Sequence, residues 1–249
     1  MSLLAVRGLE KRYGGVHAVA GVDFAVDAGE RVALIGPNGA GKSTCFNMLG
    51  GQVLPDAGLV SLDGRPVTGV GPRALFRAGV GRTFQVTTTF GSMSVVENVQ
   101  VGLAARAAGS WRLAGLATRA RRPEALALLA RVGLEALAGQ PCAQLAYGDL
   151  KRLELAIALA NEPRLLLMDE PTAGMAPAER HGLMDLVTSL VRDRGLAVLF
   201  TEHDMDIVFG HADRLLVMDR GRLVAAGAPE TVRQDPEVRR IYLGEDDHG

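Results

Sequence analysis

The stretch Gly36-Pro-Asn-Gly-Ala-Gly41-Lys42-Ser43 limits the possible folds of this chain more than any other. It follows the apolar run Val32 to Ile35 and precedes a plausible helix, so the pattern G-x-x-x-x-G-K-[ST] falls in the strand-loop-helix context that gives it meaning. Glycines let successive backbone N–H groups converge on phosphate oxygens without β-carbons in the way, and the following helix adds its positive dipole end. Gly36, Asn38, Gly39, Ala40 and Gly41 thus read as a phosphate cradle, with Lys42 as a full charge for the β- and γ-phosphates. Ser43 supplies a hydroxyl for Mg2+, and Thr44 a second one near the α-phosphate, which makes ATP with Mg2+ the expected ligand. A flexible glycine turn is the plain alternative.

A loop of this kind needs a strand to leave and a helix to enter, and the rest of the chain supplies an α/β setting. Leu165 to Met168, Ala197 to Phe200 and Leu215 to Met218 are short, continuously apolar and separated by helical patterns, as expected for strands buried on both faces by crossover helices. From Leu3 to Val32 the pattern alternates and is broken by Gly14-Gly15, Gly21 and Asp27-Ala28-Gly29, which predicts short antiparallel strands joined by turns. From about Ser92 to Gln140 the chain is rich in Ala, Leu and Arg, with Leu126, Leu129 and Val132 spaced for one helix face. The expected architecture is a P-loop NTPase core with an N-terminal antiparallel β subdomain and an inserted helical subdomain over about 92–160. Pro229 to Leu243 reads as one final helix.

Composition excludes several function classes. With 27 basic and 28 acidic side chains the formal net charge is -1, so no sequence-wide field favours polyanions, and nucleic acid is not an expected partner. No apolar run approaches the roughly 18 to 20 residues of a membrane helix, and MSLLAVRGLEKR is too short and too charged for a signal peptide. A soluble, cytosolic chain is expected. Cys45 and Cys142 share no C-x-x-C spacing and read as core thiols.

The phosphate loop needs partner carboxylates, and Leu165-Leu-Leu-Met-Asp169-Glu170 ends an apolar strand with two, at the strand end where α/β folds place ligands. Asp169 suits metal binding through water and Glu170 suits a general base, although acids in such places also serve as helix caps. Ala197-Val-Leu-Phe-Thr-Glu-His203-Asp ends another apolar run with a histidine able to donate to a γ-phosphate or a water.

In this order, the loop, the carboxylates and the histidine resemble the nucleotide-binding subunit of ATP-binding cassette (ABC) transporters, from about Leu3 to Gly244. Arg82-Thr-Phe-Gln85 is similar to that family's glutamine loop, which implies that Gln85 senses the metal and the γ-phosphate. Leu145-Ala-Tyr-Gly-Asp149 stands in the place of the family signature, so Ala146, Tyr147 and Gly148 are implied to close over ATP held by a second cassette in a head-to-tail dimer. Tyr13, in Lys-Arg-Tyr-Gly-Gly, matches the adenine-stacking aromatic, with an ordinary edge-strand tyrosine as the alternative. The signature departs from the usual Leu-Ser-Gly-Gly-Gln: Ala146 lacks the serine hydroxyl and Asp149 puts a charge near a polyanion. Ala176 also replaces the aspartate common in the loop after Glu170.

LAYG followed by Lys-Arg-Leu-Glu, the EPTAGMAP loop, Thr-Glu-His-Asp-Met and a Tyr-Leu-Gly end resemble cassettes of branched-chain amino-acid importers. The resemblance implies an ATPase whose Glu170, His203 and Gln85 act in hydrolysis, with Ser43, Gln85 and Asp169 around the metal. Its partners would be integral-membrane permeases, a second and non-identical cassette, and indirectly a periplasmic or extracellular solute-binding protein. Its place would be peripheral, on the inner face of the cell membrane. The competing expectations are a soluble ABC ATPase acting on a ribosome or DNA, and an exporter cassette.

Overall fold

The computed structural model describes residues 2–83, 89–107 and 121–243. Strands β1 (Ser2–Tyr13) and β2 (Val16–Asp27) pair antiparallel across Gly14-Gly15, with Tyr13 opposite Val16 and Ser2 opposite Asp27. The breaks in alternation at Gly8 and Gly21 are not strand ends, as the sequence suggests for Gly21, but register shifts within two 12-residue strands. A positive-φ glycine bends the pair there and pairing resumes beyond it. Strands β4 (Ala57–Leu62) and β5 (Arg65–Pro66) complete a sheet of order β2-β1-β4-β5.

The second sheet runs β10-β9-β3-β8-β7-β6, from β3 (Arg31–Ile35), β6 (Val80–Thr83), β7 (Leu165–Asp169), β8 (Ala197–Thr201), β9 (Arg214–Asp219) and β10 (Arg222–Gly227). All neighbours are parallel except β9 and β10. Its strands are continuously apolar because successive side chains enter two different cores. Ala33, Ile35, Leu166 and Met168 face one core, packed by helices, while Val32, Leu34, Leu165 and Leu167 face the other, shared with β1, β2, β4 and helix α1 (Lys42–Leu49). The apolar runs at 165–168, 197–200 and 215–218 are therefore β7, β8 and β9, as expected.

Helix α2 (Pro72–Arg77) precedes β6. Between β6 and β7 lie α3 (Val95–Ala107), α4 (Arg122–Arg131) and α5 (Tyr147–Leu159), which pack on one another. The buried face of α4 carries Ala125, Leu128 and Leu129, with Val132 just past its end, and Leu126 only flanks it. Helix α6 (Pro177–Arg194) links β7 to β8, and α7 (Met205–His211) links β8 to β9. The expected last helix is two: α8 (Pro229–Gln234) and α9 (Pro236–Leu243). Pro236 has no N–H to continue the first, and Asp235 Oδ1 starts the second by accepting from Glu237 N at 2.8 Å and Val238 N at 3.2 Å. Cys45 and Cys142 are buried free thiols, and burial pushes the Cys45 thiol up to about 12. Among the described residues no helix is long and apolar enough to cross a membrane.

Candidate functional site

The loop that leaves β3 and enters α1 is shaped by its two outer glycines. A Cβ on Gly36 would lie 2.1 Å from Met218 O, and one on Gly41, whose φ is 103°, would lie 2.1 Å from Ala18 O. Any side chain at either end would force the loop off β9 or β2. Lys42 is buried beneath the loop, where Nζ donates to Gly36 O at 2.6 Å and Pro37 O at 3.0 Å. Burial lowers its pKa, while the charges of Glu170 and Asp169 act in the opposite direction. Of its three N–H groups, one remains beyond those two bonds for a phosphate oxygen.

A cleft of about 450 Å³ opens over this loop, walled by Asn38, Gly39, Ala40, Gly41, Lys42, Ser43 and Thr44 together with Val16, His17, Ala18, Glu170, His203 and Arg220. A second cavity, of about 410 Å³, lies between α2, β6 and α5 and contains neither the loop nor the strand-end acids.

The two acids take different positions because the backbone turns between them. Asp169 ends β7, buried, with Oδ1 accepting from the hydroxyl of Thr201, its register partner on β8, at 2.7 Å. Its Oδ2 lies 3.9 Å from Arg82 Nη2. Glu170 takes a left-handed φ of 48°, an uncommon and costly state for a residue with a Cβ, and its N–H donates to Thr201 Oγ1 at 3.0 Å. That turn carries the Glu170 carboxylate out of the sheet into the cleft, where Oε1 meets His203 Nε2 at 2.9 Å. A carboxylate only accepts, so this contact puts the proton on Nε2 of His203.

Oxygen donors suit a hard cation such as Mg2+, and Ser43, on the first turn of α1, and the strand-end Asp169 are of that kind. Among the described residues no cluster of three or more His, Cys, Asp or Glu is arranged to hold a metal alone, so such an ion would take its remaining ligands from phosphates and water. Gln85, the third residue expected at the metal, lies outside the described residues.

Four other expected residues stand apart from the cleft wall. Tyr13 ends β1, 51% exposed, with Lys11 Nζ 5.6 Å from its ring centroid and Val16 as its register partner. Ala146, Tyr147 and Gly148 open α5, and the first two are exposed. The Tyr147 ring rests against Gly174, where a Cβ would lie 3.2 Å from Cε1, and under the Lys151 ammonium at 5.6 Å. Gly148 is covered by Glu179, whose Cδ would lie 3.1 Å from a Cβ placed there. Six contributors were not foreseen, three of them the wall residues Val16, His17 and Ala18. Thr201 joins both acids, Arg220 stands in a turn pinned to the loop by Gly221 N donating to Ala40 O at 2.9 Å, and Glu202 is buried between Thr201 and His203. Only Glu202 had a sequence signal, an acid at the end of an apolar strand.

With this geometry in place, comparison with known proteins gives consistent results. Residues 19–173 match a family model described as ABC transporter, and residues 222–248 match one described as branched-chain amino acid ATP-binding cassette transporter. The high-affinity branched-chain amino acid transport ATP-binding protein LivG of Salmonella typhimurium is 41% identical over 250 residues, covering 98% of each chain. A crystal structure of a nucleotide-free ATP-binding cassette from an ABC transporter superposes with a TM-score of 0.87 at 32% identity, covering 98% of this chain and 100% of the other. A dimeric cassette in a post-hydrolysis state, bound to ADP and Pi, gives 0.78 at 26% identity, over 91% of this chain and 98% of the other.

Proposed function

The chain belongs to the ABC transporter family as an ATP-hydrolysing cassette, and from that premise we propose that it powers uptake of branched-chain amino acids, or a related small polar solute, through separate permease subunits. The observation that carries this reading is the match of its C-terminal residues to a cassette model specific to branched-chain amino acids, on top of full-length likeness to a cassette of that transport. The competing assignments, to a ribosome, DNA or an exporter, have no observation of comparable weight behind them.

In the proposed reaction the loop N–H groups, the amino end of α1 and Lys42 hold the phosphates of ATP. Ser43 and Asp169 would hold Mg2+, which would supply neutralising charge at the phosphates. Glu170 accepts the proton of the attacking water, and His203 orients that carboxylate through its Nε2–H. Tyr13 stacks on the adenine. Gln85 reports the state of the metal and the γ-phosphate toward the permease.

Tyr147 and Gly148 lie outside their own chain's cleft, which suits a head-to-tail dimer in which α5 offers its free N–H groups to the partner's nucleotide. Ala146 brings no hydroxyl to that task, and Asp149 adds a negative charge in the first turn. We therefore assign a non-identical second cassette. A solute-binding protein acts on the far side of the membrane, and this chain sits peripherally on the inner face.

Reconstitution tests the reading: the chain is placed in vesicles with its permeases and loaded solute-binding protein, with and without a second cassette, and labelled leucine is followed. ATP-dependent uptake that needs both cassettes is the expected result. An ATPase activity indifferent to leucine, isoleucine and valine would remove the solute class, and full uptake with this cassette alone would remove the mixed pair.

A further inference from the structure

We propose that Glu202, a buried acid that does not line the cleft, is a positioning residue for hydrolysis, holding the Glu170 and His203 side chains in register by tying together the two loops that carry them. The inference rests on the proposed roles of Glu170 and His203.

Those two loops leave neighbouring parallel strands. β7 and β8 are in register at Asp169 and Thr201, and beyond that pair each chain departs on its own. The last links between the strands come from Thr201, whose hydroxyl spans Asp169 Oδ1 and Glu170 N and whose backbone O accepts from Glu170 N at 3.2 Å. Further out, Glu170 and His203 each stand on a loop, and their 2.9 Å contact needs the two loops held at a fixed separation.

Glu202 supplies that hold. Its side chain is 4% exposed and turned inward, whereas its neighbour His203 faces the cleft. Oε1 accepts from Thr172 N at 2.8 Å and from Thr172 Oγ1 at 2.6 Å, both on the loop after Glu170. Oε2 accepts from His203 N at 3.2 Å, on its own loop. One carboxylate thus receives three neutral donors from both sides of the gap, with Thr172 itself 2% exposed.

The chemistry of this position calls for an acid. All three partners donate here, and among side chains only an ionised carboxylate accepts at two oxygens and donates at neither. A carboxylate buried behind a cleft for a polyanion is costly unless its oxygens are fully engaged by donors. A loop that needed only closure could use a neutral hydroxyl. The fold keeps the acid where both loops can bond to it.

The test compares Glu202→Gln with the parent in the assembled transporter, reading kcat and KM for MgATP, thermal midpoint and MgATP affinity. An amide of equal shape must turn its NH2 toward either Thr172 or the His203 N–H, so one side of the tie is lost. Misplacing a catalytic group by about 1 Å costs on the order of 10²-fold, so kcat should fall roughly 10- to 100-fold. KM, affinity and thermal midpoint should stay near the parental values. Thr172→Ser, which keeps N–H and hydroxyl, should retain parental kcat, and Thr172→Val, which loses one bond, should fall between. Parental kcat in Glu202→Gln, or losses in kcat, affinity and midpoint together, would overturn the proposal. Glu170→Gln is run beside it: if that variant is inactive while Glu202→Gln is fully active, only the role of Glu202 is lost, whereas parental turnover in Glu170→Gln removes both.

Discussion

Glu170 and Lys42 both contact the same cleft, yet their substitution should fail in different ways. Glu170→Gln keeps the shape of the side chain but not its basicity, so MgATP binding should persist while hydrolysis falls on the order of 10²- to 10⁴-fold. Lys42→Ala removes the charged donor beneath the loop, and losing a hydrogen bond between charged groups costs about 1.5 to 3 kcal/mol, here in affinity. Calorimetric titration with MgATP and phosphate release, measured on both variants, should show the two defects separated. How much of this site could be read in advance depends on how local each element is. The run from Gly36 to Thr44 is contiguous, so its spacing alone carried its meaning. Glu170 and His203 were identifiable singly as strand-end residues, but their 2.9 Å contact depends on β7 lying beside β8. The role of Glu202 was out of reach, because its partner Thr172 lies on another strand's loop, 30 residues away.

At the scale of elements, α7 depends on its first residues. Asp204 Oδ1 accepts from Asp206 N at 3.0 Å and Ile207 N at 3.4 Å, while Oδ2 accepts from Arg180 Nη1 at 2.7 Å. Arg180 Nε also donates to Met175 O at 2.9 Å, so one guanidinium braces the loop after Glu170 against the start of α7. Replacing an N-cap acid by alanine costs about 1 kcal/mol, and Asp204→Ala should lose about that much in urea unfolding at neutral pH. The Arg180 hydrogen bond, ahead of the capping amides, holds the Asp204 carboxyl below the usual carboxylate range. Stabilisation from a depressed acid is complete above its unfolded value and is lost as pH falls through the folded one, so the gap between variant and parent should close in acid. Continuous apolar runs made β7, β8 and β9 legible, and helical patterns the helices between them and those of the 92–140 stretch, but not α2. Strand β6 was not, since Val80-Gly-Arg-Thr is short, half polar, and shows itself as a strand only by pairing with β7. The split between α8 and α9 was missed in reading 229–243 as one helix, because the helical pattern on either side masks Pro236, whose missing N–H ends the first helix.

For the whole molecule, the α/β class followed from apolar runs too continuous for a one-sided sheet, and the antiparallel N-terminal sheet from alternation. The two cores were not distinguishable in the sequence, because alternate residues of one apolar strand look alike until the sheet assigns them sides. That division governs how the chain comes apart. Leu166 and Met168 line one core while Leu165 and Leu167 line the other, so neither core can open without exposing the strands that also close its neighbour. Sheets and helices of this molecule should therefore open as a single cooperative unit and not as two independently melting lobes. Hydrogen exchange of the nucleotide-free chain in low urea should release the amides of Val22, in the N-terminal sheet, and Val187, in α6, at one common opening free energy. Two well-separated values would mean that the shared sheet survives with one side bare.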